Sequence, residues 1–70
     1  MIKVCIGDRI EWKNTYEEFY KIRHWACKNC KSFYEMMISD VSDLSMNYEY
    51  VAEFRFIEER DATLFRLRWS

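Results

Sequence analysis

Between Thr15 and Ile38 the apolar residues Phe19, Ile22, Ala26, Cys30, Phe33 and Met37 recur three or four positions apart. At ~100° per residue they fall within roughly 40° of one direction, the stripe of an amphipathic helix. Glu17, Lys21, Lys28 and Glu35 point away from it. The spacing predicts one long helix over residues 15–38. Thr15 is placed to cap it, with Glu18 three residues on to complete a capping box and acids in the first turn. Such a helix needs an apolar surface to lie on, and the flanking segments offer strands.

"MIKVCI" alternates Ile2, Val4 and Ile6 against Lys3 and Cys5, the period of a half-buried strand. A hairpin loop at Gly7-Asp8-Arg9 would set Ile6 opposite Ile10 and Val4 opposite Trp12. "SDVSDLSMN" breaks the helical pattern, and a short turn or loop is expected there. The run "YEYVAEFRFIEERDATLFRLRW" reads as two strands about a polar "EERD" turn. An even loop pairs Phe56 with Phe65, Phe54 with Leu67 and Ala52 with Trp69, whereas an odd loop would set Phe65 against Arg55. The expected fold is α+β: a small antiparallel sheet (ββαββ, or βαββ if the first hairpin fails) with one long amphipathic helix on one face.

Seventy residues make a single domain over 1–70, near the size where one core is only marginally stable. A 19% aromatic content offsets the short chain with large side chains. The single glycine and the absence of proline argue against disorder. A formal net charge of −1 argues against a dominant electrostatic tether to nucleic acid and against an acidic mimic of it. The N-terminus has no apolar run long enough for a signal peptide or a membrane span, so no membrane partner is expected. Three cysteines, an odd number without secretory context, fit reduced thiols and a cytoplasmic location.

"HWACKNCKSF" brings His24, Cys27 and Cys30 together in sequence, and Cys5 would complete a set of four zinc ligands. On a helix, however, Cys27 lies ~60° from Cys30 and His24 ~60° beyond that. Cys5 has the strand parity that leaves the helix-covered face. The expectation is therefore a buried Cys30, a boundary Cys27 and a surface His24, with no metal and no cofactor. Cys27 also sits well inside the helix, away from the positive end that activates redox thiols. The chain's one histidine has no placed serine or carboxylate to orient it, and no Gly-rich phosphate loop exists, so no enzyme is expected.

The sheet face away from the helix should carry Cys5, Val51, Ile57 and Leu64 among Glu49, Glu53, Arg55, Arg66 and Arg68. Arg55 would lie opposite Arg66 and Glu53 opposite Arg68. Arginine mixed with apolar residues suits a protein interface. The expected function is a non-catalytic protein-interaction module that regulates or inhibits a partner by surface occlusion and forms a homodimer. Val51, Arg55, Ile57, Leu64, Arg66 and Arg68 are its expected partner-binding residues. Short, dense, proline-free domains of this kind are associated with phage host-directed factors and antitoxins. The alternative is a zinc-stabilised nucleic-acid-binding module using Cys5, His24, Cys27 and Cys30. Nucleic acid is the less favoured partner because Phe54, Phe56, Phe65 and Trp69 fall on the helix side, away from the arginines.

Overall fold

The computed structural model describes residues 1–9, 11–40 and 49–69. The elements run β1 (Ile2–Gly7), α1 (Thr15–Asn29), β2 (Phe33–Asp40), β3 (Tyr50–Phe56) and α2 (Glu59–Trp69). Among the described residues three strands form one antiparallel sheet in the order β1-β3-β2. β1 and β2 therefore run parallel to one another with β3 between them, a split βαβ arrangement. The α+β class holds, but the element order is βαββα rather than ββαββ.

The alternation of β1 does what its period dictates. Val4 and Ile6 are buried, and Lys3 and Cys5 are exposed. Its partner is not the next segment but β3, with Val4 opposite Phe54 and Ile6 opposite Ala52. The expected hairpin to Trp12 does not form, and Ile10 lies outside the described residues. Asp8 is the reason. Its N–H donates to the Tyr50 carbonyl at 3.0 Å, while its carboxylate accepts the Glu49 and Tyr50 N–H groups at 3.0 and 3.2 Å. Those bonds extend the β1–β3 ladder past Gly7. Trp12, freed from any strand, packs edge-on against Phe19 with ring centroids 5.3 Å apart.

Helix α1 starts one residue earlier than the capping box implied. Asn14, in extended conformation, is the N-cap, and its side chain accepts the Glu17 N–H at 3.1 Å. Phe19, Ile22 and Ala26 form the buried stripe as expected. The helix then stops at Asn29 instead of running to 38. The Asn29 side-chain amide donates to the Trp25 carbonyl at 2.9 Å, taking up a backbone acceptor of the last turn. Cys30 turns extended, and after a tight turn the chain leaves as β2. Phe33, Met36 and Ile38 of β2 stand opposite Phe56, Phe54 and Ala52, with a bulge between Phe33 and Glu35. Ser39 and Asp40 close this strand, while the expected loop at 41–47 lies outside the described residues.

The C-terminal hairpin is replaced by α2. Glu59 and Asp61 lie in its first turn and Arg66 and Arg68 in its last, the charge order a helix dipole favours. Glu58–Asp61, expected as the hairpin turn, instead lead into and open this helix. Ala62 and Phe65 are fully buried and Leu67 is 81% exposed, so the expected Phe54–Leu67 pair is absent. Phe65 nevertheless reaches Phe56 and Phe54, at centroid distances of 5.1 and 4.8 Å, from the helix rather than from a neighbouring strand.

Both helices lie on the same side of the sheet. Trp25 of α1 meets Phe65 and Trp69 of α2 at 6.4 and 6.0 Å. Between the helices and the sheet, Phe19, Phe54, Phe56 and Phe65 are completely buried. These four phenylalanines are the largest fully buried side chains among the described residues. No helix is long and apolar enough to cross a membrane among the described residues.

Candidate functional site

Strand parity, reset in β2 by the bulge between Phe33 and Glu35, builds the sheet's second face. β3 contributes Val51, Glu53 and Arg55, which lie opposite Gly7, Cys5 and Lys3 on β1. On the other side they lie opposite Ser39, Met37 and Glu35 on β2. Among the described residues no helix covers this face. Met37 is 46% exposed, Cys5 is exposed and Val51 is half-buried.

Arg55 organises the centre. Its guanidinium donates to the Glu35 carboxylate at 3.0 Å across the strands and to Glu53 two residues along its own strand. The hydrogen bond to Glu53 is the main influence holding the guanidinium's pKa above its ordinary value, with Glu35 adding to it against the effect of burial. The centre of the face is therefore internally paired. Lys3 and Arg55 balance Glu35 and Glu53, and the central charge is satisfied within the chain.

The six expected interface residues do not share this face. Val51 and Arg55 lie on it. Ile57 follows β3 and is 64% exposed, and Leu64 is exposed on α2. Arg66 pairs with Glu59 at 3.5 Å along α2, and Arg68 lies over the Trp69 ring with its guanidinium carbon 4.4 Å from the centroid. The expected Arg55–Arg66 and Glu53–Arg68 pairs disappear with the fourth strand. Glu35 and Met37 take that place. Their signal was the alternation of "YEMMIS", which the helical stripe through Phe33 and Met37 masked.

The cysteines and His24 separate as their geometry required. Cys30 is 2% exposed, with its thiol 3.7 Å from the Asp61 carbonyl. Burial first, and the Asp61 charge second, push its pKa up, which disfavours a thiolate ligand or nucleophile. Cys27 is exposed rather than at the boundary, and His24 is also exposed. Cys5 lies on the far face of the sheet. No three His, Cys, Asp or Glu side chains among the described residues are grouped to hold a metal ion.

No protein-family model, curated protein or solved structure matches the chain.

Proposed function

We propose that this chain is a small non-catalytic protein-interaction module, which regulates or inhibits its partner by covering part of the partner's surface. The observation that carries the reading is the uncovered sheet face, with Val51, Met37 and Cys5 set around the Glu35–Arg55–Glu53 ion pairs. The internally paired Glu35–Arg55–Glu53 cluster can be desolvated against another protein without leaving its guanidinium unpaired, while exposed Lys3 lies beside it on β1. The central guanidinium is already engaged by two carboxylates, which leaves Lys3 as the one cation of this face without an ion pair among the described residues, little for a phosphate backbone to use. Each apolar side chain taken fully out of water contributes up to ~1.5–3 kcal/mol, a large gain for so small a domain.

The same face suits a second copy of the chain, since a two-fold dimer needs only one self-complementary patch. Three free thiols suit a reducing cytoplasm. The composition fits the kind of compact factor that phages direct at host proteins.

The test is Met37→Glu combined with Val51→Glu, followed by sedimentation over a range of concentrations. The wild type is expected to reach twice its 8.7 kDa monomer mass, and the variant to remain folded by circular dichroism yet monomeric. A wild type monomeric at every concentration, or a variant that still dimerises, would sink the dimer reading.

A further inference from the structure

A cleft of 210 Å³ opens at one end of the core, where β1, the following turn, α1 and the end of α2 converge. Ile6 and Ile22 form apolar wall, Trp12 and Trp69 add aromatic surface, and Arg9, Arg68 and Glu18 supply charge. The two tryptophans are braced from behind. Trp12 stands edge-on to Phe19 at 5.3 Å and Trp69 edge-on to Trp25 at 6.0 Å. The cleft is thus walled by side chains whose positions the core sets.

The charges are unequal in their commitments. Glu18 is engaged by Lys21 at 3.4 Å. Neither Arg9 nor Arg68 has an acid within ion-pair distance among the described residues. Arg68 lies over the indole of Trp69, which leaves the in-plane N–H donors of its guanidinium available. The Trp69 indole N–H is itself buried without an acceptor among the described residues.

The geometry points to a binding site for a small aromatic carboxylate. One aromatic ring would lie against Ile6, Ile22, Trp12 and Trp69, and its carboxylate would take charge-assisted hydrogen bonds from Arg9 and Arg68. Drug-sized ligands occupy clefts of ~300–1,000 Å³, so this volume admits a single ring and not a larger scaffold. Two guanidiniums facing one engaged acid select an anion over a neutral or cationic ring. The site lies on the helix side of the sheet and is independent of the face proposed for protein contact.

The probe is phenylacetate, titrated into the isotope-labelled full chain and followed by the indole N–H signals of Trp12 and Trp69 and the methyl signals of Ile6 and Ile22. Saturable shifts are expected at these four residues, with a Kd of about 1 mM or tighter for so small a probe, while Val51 on the opposite sheet face stays still. Benzyl alcohol and benzylamine should bind at least about tenfold more weakly, and Arg9→Gln with Arg68→Gln should weaken phenylacetate by a similar factor. Added salt should weaken phenylacetate more than benzyl alcohol. Shifts that do not saturate, shifts centred on other residues, or equal binding of the three probes would overturn the proposal. Tighter binding of a peptide ending in phenylalanine would overturn it too, by assigning the cleft to chain ends.

Discussion

The Asp61 carboxylate accepts the backbone N–H of Ser32 at 2.8 Å, joining the first turn of α2 to the turn between α1 and β2. The bond is reciprocated, because the Ser32 hydroxyl accepts the Glu58 N–H at 3.0 Å just before α2 begins. Ser32 thus acts as an N-cap supplied from 26 residues upstream, and its carbonyl also receives the Ile57 N–H. The start of α2 is held by residues that local sequence does not contain.

Ser32→Ala is therefore expected to destabilise the protein by about 1 kcal/mol, the usual cost of a lost cap. Chemical denaturation of Ser32→Ala, Asp61→Asn and the double variant should reveal coupling between the two sites. Strict additivity would show that the two side chains act independently and that no coupled clamp exists.

Acid should find the same clamp. The Ser32 hydrogen bonds, side chain first and backbone second, hold the Asp61 carboxyl below its ordinary pKa. A depressed folded-state pKa gives stability that is present above the unfolded value of about 3.9 and is lost as pH falls through the folded value. Wild type should lose stability relative to Asp61→Asn as pH drops below about 4. Parallel pH profiles for the two proteins would contradict this.

Phe65→Ala and Leu67→Ala should differ sharply. Phe65 is fully buried against Phe54 and Phe56, so its truncation should cost about 3–5 kcal/mol and bring the domain close to unfolding. Leu67, 81% exposed on α2, should change stability by less than about 0.5 kcal/mol. A hairpin in place of α2 would bury both, so comparable losses would argue for strands.

The three thiols should divide two to one. In the folded protein a thiol reagent is expected to modify exposed Cys5 and Cys27, while buried Cys30 reacts only on unfolding. Cys30→Ser should cost about 1–2 kcal/mol, moderated because the new hydroxyl can donate to the Asp61 carbonyl. Cys27→Ser should be close to neutral. Fast native modification of all three would place Cys30 outside the core.

Asn14→Ala should cost about 1 kcal/mol and Thr15→Ala distinctly less, since Asn14 carries the capping bond of α1. The reverse order would restore Thr15 as the cap.

Periodicity alone determined which residues of several segments go inside. The parity of β1 buried Val4 and Ile6, the first four turns of the helical stripe buried Phe19, Ile22 and Ala26, and the parity of β3 buried Ala52, Phe54 and Phe56. Phe56 and Phe65 do meet, but across a strand and a helix rather than as the cross-strand pair that the even loop predicts. What periodicity could not decide was the partner or the conformation of ambiguous runs. Val4 and Ile6 suit any apolar strand, and it is the folded chain that pairs them with β3, where Asp8 adds bonds at the strand's start. Phe33 and Met37 satisfy a helical stripe, and unbroken strand alternation would also set both on one face. Once Asn29 and Cys30 end α1, the bulge between Phe33 and Glu35 leaves Phe33 on the core face and Met37 on the open face. Phe65 to Trp69 likewise alternates as a strand and repeats as a helix, and the acids before it with the arginines within it favour the helix. The candidate interface inherited that ambiguity: Val51 and Arg55 kept their face, while Leu64, Arg66 and Arg68 left the sheet with α2. Local pattern specifies burial through side-chain chemistry, but pairing and capping are set by residues distant in sequence, such as Ser32 with Asp61, which only the folded chain brings together.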